Sequence, residues 1–231
     1  MRLPAFTSLA IAQLLVGTPA LLGLPREALA QGTVSMDLAG AEAPPGGWRL
    51  FNRTIKTDSE GGHEFLAIVG EPDTVGLVWS PALAFTDGDI EFEVRGRDIP
   101  GHSFVGIAFH ITSDTTFDAV YLRPFNFEAT DSARHAHAVQ FISSPAYPWD
   151  TLRTEHPGVF ENAVPASIDP SAWIHVRVRV RGAAIEVYLD HAKAPVLSVI
   201  NPSAHHSGGV GYFVHGTSVG DFRDLTLRPP D

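Results

Sequence analysis

Hydrophobic and polar residues alternate along much of the chain. In DIEFEVRG (89–96), Ile90, Phe92 and Val94 share one face and Glu91, Glu93 and Arg95 the other. In WIHVRVRVRG (173–182), Ile174, Val176, Val178 and Val180 oppose Trp173, His175, Arg177, Arg179 and Arg181. AIEVYLD (184–190) continues the pattern with Ile185, Val187 and Leu189. A sustained period of two predicts half-buried β-strands. Further strands are predicted over 63–69, 75–80, 103–111, 118–123, 138–142, 210–214 and 222–227. Asp87-Gly88, Ile99-Pro100-Gly101, Arg181-Gly182 and Gly208-Gly209 are turn signals between them. No segment carries a helical stripe. The pattern predicts an all-β fold, a two-sheet antiparallel jelly-roll sandwich. Arg181-Gly182 predicts a hairpin over 173–190, with Arg177, Arg179 and Arg181 on a solvated face opposed by carboxylates such as Glu186.

The N-terminus breaks the pattern. Arg2 precedes an apolar run from Ala5 to Leu24, and Ala28-Leu29-Ala30 has the A-x-A form of a cleavage site. These features predict a secretory signal peptide over 1–30 and a single domain over 31–231, in a secreted or periplasmic protein. No second apolar run is long enough to span a bilayer. The chain has no cysteine, so neither disulfides nor Cys-ligated metals hold the fold. Its formal net charge of −10 argues against nucleic acid or an anionic membrane as partner.

The candidate chemistry gathers in FDAVYLRPFNF (117–127) and HAHAVQFISSPAYPWDTLR (135–153). With Val120 and Leu122 in the core, Tyr121 and Arg123 face the other way, and Pro124 ends the pairing. Asn126 follows in the loop. If Val139 and Phe141 also fill the core, Gln140 shares the face of Tyr121 and Arg123, while His135 and His137 lie in a loop or bulge leading to it. Residues 143–165 form a long Pro-rich connection whose aromatic residues argue for an ordered loop, expected to carry Trp149, Asp150 and Arg153 to one end of the groove. A sugar presents an apolar C–H face and a rim of hydroxyls. Rings stack on the first, and Arg, Asn and Gln bond the second. Tyr121, Arg123, Asn126, Gln140, Trp149 and Arg153 are therefore candidate carbohydrate-binding residues. His135-x-His137 lacks an evident third ligand, so no metal site is assigned.

The order of these strands is itself informative. A DGDIEFEVRG strand precedes FVGIAFHI, then YLRPFN, AVQF, WIHVRVRV, VYLD and a closing GGVGYFV with FRDLTL. Over residues 87–228 this resembles the concanavalin A-like lectin/glucanase superfamily, in particular exported laminin-G-like and 3-keto-disaccharide-hydrolase-like jelly rolls. The resemblance implies two curved sheets with a concave face that commonly carries glycan contacts. It leaves room for a structural calcium, to which no residue is assigned, and implies no other cofactor. The superfamily spans binding modules, enzymes and adhesion modules.

The E-x-D-x-x-E strand of the glucanase branch is absent; Glu91-Phe92-Glu93 lacks the remaining acid, and Arg95 and Arg97 continue that stripe as a solvated surface. A glycoside hydrolase needs two carboxyl groups, and no pair is evident. His137 with Asp150 or Glu155 is the candidate acid–base set for a hydrolase or lyase in the same groove. The leading expectation is a carbohydrate-binding protein; the alternatives are that enzyme or a non-catalytic adhesion or assembly module.

Overall fold

The computed structural model describes residues 47–72 and 74–230, all within the unit Gln31–Asp231. The signal-peptide segment expected over 1–30 lies outside the described residues. Fourteen strands follow one another: β1 (Arg49–Phe51), β2 (Arg53–Glu60), β3 (His63–Gly70), β4 (Val75–Phe85), β5 (Gly88–Arg95), β6 (Val105–Ser113), β7 (Thr116–Leu122), β8 (Val139–Ser144), β9 (Glu161–Asn162), β10 (Ile174–Arg181), β11 (Ala184–Leu189), β12 (Leu197–Ile200), β13 (Gly208–His215) and β14 (Val219–Arg228). Two short helices, α1 (Ser132–His135) and α2 (Trp149–Glu155), flank β8 in sequence. The strands form two antiparallel seven-stranded sheets. The first has the order β1-β4-β13-β6-β7-β8-β9, and the second β12-β11-β10-β5-β14-β3-β2. Among the described residues, no helix is long and apolar enough to cross a membrane.

The second sheet follows the sequence pattern closely. Along β5 and β10 every other residue is buried. Its outer face is a ladder of ion pairs. Arg179 and Arg181 reach Asp89 at 3.3 and 3.0 Å, Arg223 reaches Glu93 at 2.5 Å, and Arg228 reaches Glu91 at 3.2 Å. Glu186 stands opposite Arg179 in register but 3.9 Å away, so Asp89 is the nearer partner. The predicted hairpin forms, with Gly182 supplying the left-handed φ of 58° that its tight turn requires.

The first sheet departs from alternation. β6, β7 and β13 are buried on both faces. Their inward residues meet the second sheet: the Tyr212 ring lies 4.6 Å from that of Phe222 and 6.4 Å from that of Phe92. Each such fully buried large side chain contributes ~1.5–3 kcal/mol of hydrophobic stabilisation. Their outward residues are roofed by the segments after β7 and β8, and there the cavity described below opens. β1, β2, β9 and β12 were not predicted. β2 reads RTIKTDSE, a polar edge strand without a clean apolar face, and β1, β9 and β12 run for only two to four residues.

Candidate functional site

Register builds the site. Phe213 pairs with Gly106, Gly106 with Tyr121, Tyr121 with Gln140, and Gln140 with Glu161. These residues from five strands form one row across the outer face of the first sheet. Gly106 carries no side chain, so the rings of Tyr121 and Phe213, two strands apart, stack across it at 5.1 Å and 27°. A Cβ on Gly106 would lie 2.1 Å from the Val120 carbonyl oxygen and 2.6 Å from Tyr121 Cα.

Beyond β7, Pro124–Asn126 form a 3-10 turn. The Arg123 N–H donates to the Ala138 carbonyl at 2.8 Å, which holds that residue's backbone beside the entry to β8. The Arg123 guanidinium then lies over Tyr121 and Phe104, its Cζ 4.9 and 5.7 Å from their ring centres. Its Nη1 donates to the His137 carbonyl at 2.8 Å, and its Nη2 to the Tyr121 hydroxyl at 2.9 Å and Gln140 Oε1 at 3.2 Å. Burial holds this guanidinium below its ordinary pKa and pushes the Tyr121 phenol up.

Above this floor lies a cavity of about 490 Å³, within the range of small-ligand sites. Tyr121, Arg123, Asn126, His137, Trp149 and Arg153, all expected at the site, line it. So do Phe104, Phe117, Phe125, Arg134, Phe213 and His215. Tyr121 and Arg123 are only 3% and 5% exposed, so they form the floor. The Tyr121 ring is occupied by Phe213 on one side and approached by Arg123, which leaves little face for stacking a ligand. Trp149, 43% exposed, presents the open ring, with the Arg153 guanidinium 4.9 Å over it.

Three expected residues do not reach the cavity. Gln140 shares the face of Tyr121 but is wholly buried; its Nε2 donates to the Phe141 and Phe160 carbonyls at 3.0 and 3.3 Å, so it braces Arg123 from beneath. Asp150 and Glu155 are exposed on α2 and line no part of the cavity. The helical turn explains this. Trp149 and Arg153, at i and i+4, project together, whereas Asp150 and Glu155, at i+1 and i+6, lie on other faces of the turn. Asp118 faces away as its parity requires, buried against His110 at 2.8 Å and Asn201 at 2.7 Å. His135 ends α1, with Nε2 3.1 Å from the Val164 carbonyl oxygen.

The carboxylate that the sequence did not reveal is Glu161. It is 5% exposed and sits behind the cavity wall. Arg153 Nη2 and Nε donate to it at 2.6 and 2.9 Å, and His137 Nδ1 lies 2.9 Å from its Oε2. The His137 contact has ion-pair distance without hydrogen-bond alignment. Burial holds His137 below its ordinary 6.5, opposed by the charge of Glu161. Phe213 and His215 were legible by alternation, since they face opposite to Tyr212 and Val214; Glu161 sits in a two-residue strand with no signal of its own. A calcium ion takes six to eight oxygen ligands. Among the described residues no group of three or more His, Asp or Glu side chains is gathered to supply them.

No protein-family model matches the sequence, and neither does any curated protein. Solved structures do resemble it. The carbohydrate-binding module CBM66 from Bacillus subtilis has a TM-score of 0.55 at 19% identity, covering 79% of this chain and 95% of that one. The exoplasmic/lumenal domain of VIP36, in its metal-free form, gives 0.53 at 12% identity over 80% and 85%. A Bacillus subtilis protein with a galectin-like fold gives 0.51 at 11% identity over 78% and 88%. At these identities the likeness carries the fold alone: a two-sheet antiparallel jelly-roll sandwich.

Proposed function

We propose that the protein binds a carbohydrate in the cavity on the outer face of its first sheet. The observation that carries this reading is the convergence, in one 490 Å³ hollow, of the exposed Trp149 ring with the polar heads of Arg123, Asn126 and Arg153. Trp149 stacks on the apolar face of a sugar while the guanidinium and amide groups bond its hydroxyls. The Asn126 Nδ2 donates to the His137 carbonyl at 3.4 Å, which holds its amide at the cavity. The fold agrees: CBM66 is a carbohydrate-binding module, and VIP36 has been seen with Man3GlcNAc bound. On this reading residues 1–30 direct export, residues 31–231 form the binding domain, and the protein works in the periplasm or outside the cell. Calorimetry against a panel of oligosaccharides tests it. Binding that falls at least tenfold in Trp149→Ala supports it, and no heat from any sugar overturns it.

A second reading rests on His137. Its Nδ1 faces Glu161, and its Nε2 has no partner among the described residues, which gives a base and a carboxylate behind it at the cavity wall. This arrangement suits proton abstraction from a bound sugar, as in an elimination. It does not suit the two-carboxylate hydrolase mechanism, because among the described residues no Asp or Glu lines the cavity. Release of unsaturated products from a polysaccharide panel, lost in both His137→Ala and Glu161→Gln, would establish it; intact polymer after prolonged incubation would exclude it.

A further inference from the structure

The cavity has the opposite charge to the protein. The chain carries 26 acidic and 16 basic residues, yet the cavity is lined by Arg123, Arg134, Arg153 and two histidines and, among the described residues, by no carboxylate. Glu161, behind the cavity wall, is already engaged by Arg153 and His137. That leaves Arg123 and Arg134 without an ion-pair partner among the described residues.

Arg123 is the informative case, and Arg53 is its control. Both are buried, at 5% and 6% exposure, and neither meets a carboxylate. Arg53 is saturated: its Nε, Nη1 and Nη2 donate to the carbonyls of Val214, Asn52 and Thr74 and to the Thr74 hydroxyl, with Nη2 reaching two of them. A guanidinium has five N–H groups, and that set uses all of them. Arg123 makes three such bonds, to the His137 carbonyl, the Tyr121 hydroxyl and Gln140 Oε1. Its Nε–H and one Nη1 hydrogen have no acceptor among the described residues, and the group lines the cavity. A buried charge without a counter-ion is costly, and an anion supplied by a ligand removes that cost. Arg134 is exposed at the same cavity, held there by the Asp131 carboxylate capping α1, Oδ1 accepting from the Arg134 N–H at 2.9 Å.

We propose that the cavity selects an acidic saccharide, one bearing a carboxylate or sulfate, whose anionic group is received by Arg123 with Arg134 at the rim. The proposal rests on the carbohydrate reading and narrows it. Trp149 and the apolar walls take the ring, and the unfilled N–H groups of Arg123 take the anion in the fork geometry that suits carboxylate and sulfate alike.

Calorimetry with the purified full chain on matched polymers tests it. Polygalacturonate is compared with its methyl ester, dextran sulfate with dextran, and polyglutamate serves as an acidic polymer without sugar. The expected result is binding to an acidic saccharide at least about tenfold tighter than to its neutral partner, weakening as salt rises. Which acidic polymer binds separates carboxylate from sulfate. The acidic ligand also raises Tm, as any ligand of the folded state does. Arg134→Gln weakens acidic binding severalfold at unchanged Tm, and Arg123→Gln weakens it more. Equal affinity for acidic and neutral partners, or for polyglutamate and the acidic sugars, overturns this inference and leaves the carbohydrate reading standing in the first case. Binding of neither acidic nor neutral saccharides, across a panel that includes neutral glucans, mannans and fructans, overturns both. Arg134→Gln with unchanged acidic affinity removes the rim contact from the proposal.

Discussion

Tyr121 has a different job from the one its residue type suggests. Its ring is spent on Phe213, and its hydroxyl accepts from Arg123 Nη2 at 2.9 Å. It positions the guanidinium and, on the carbohydrate reading proposed above, leaves ligand stacking to Trp149. Tyr121→Phe keeps the ring stack and removes one acceptor, so the fold should lose only about 1 kcal/mol, while ligand affinity drops severalfold; thermal denaturation and calorimetry on one sample measure both. The histidines make a prediction with a definite sign. Burial, the largest influence on each, holds His137 and His175 below 6.5 in the fold. His137 faces Glu161, Arg153 and Arg123; His175 faces Glu91 and Glu93 and stacks on His191 at 3.9 Å. Between the depressed folded value and 6.5, the unfolded chain binds more protons than the native one. The stability these neutral rings contribute is therefore complete above 6.5 and is lost as pH falls through their folded values. Tm should fall on acidification through that window, and fall less in His175→Gln; a Tm that rises there would contradict the sign.

Among the strands, β6 and β7 show how local pattern and pairing divide the work. Alternation placed Val120 and Leu122 on one face and Tyr121 on the other, and the register confirms it, with Tyr121 opposite Gly106 and Gln140. What alternation does not express is that Gly106 must lack a side chain for two rings to meet over it. Gly106→Ala puts a Cβ against backbone atoms that cannot move aside, and should cost roughly 1–3 kcal/mol while splaying Tyr121 from Phe213. Urea denaturation gives the first, and loss of ligand binding reports the second. The segment 143–165 packs at the site as its aromatic anchors predict. Its helical turn, α2, selects Trp149 and Arg153 for the cavity and turns Asp150 and Glu155 to solvent, a choice set by a spacing that a loop reading could not contain.

Across the molecule the two sheets play unequal parts. The second is a half-buried sheet whose charged outer face is closed by its own ion pairs, which engage Arg179 and Arg181 with Asp89. The first is covered on both sides, and the cavity lies in its outer covering. At the centre between the sheets, Tyr212 is 0% exposed and its hydroxyl has no partner, with burial pushing the phenol far up. Tyr212→Phe should be neutral or stabilising by about 1 kcal/mol, because it removes a polar group that was dehydrated without compensation; a Tm drop of several degrees would show that the hydroxyl has a partner in solution.

Period-two alternation is a property of a short stretch of chain, so ten of the fourteen strands, the buried face of the second sheet, the hairpin at Gly182 and the class of the fold were readable from the residue order. So was the outward direction of Tyr121, which follows from parity alone. The site was readable only as a set of chemically suitable residues. Its membership depends on pairing between strands distant in sequence: Glu161 comes to Arg153 and His137 through β9, Phe213 comes to Tyr121 through β13, and Gln140 disappears beneath Arg123. Those contacts are set by register and by how the covering segments pack, which no local pattern encodes. The charge of the cavity is likewise a tertiary fact, because composition counts every acid in the chain, whereas a ligand meets only those that folding has turned toward it.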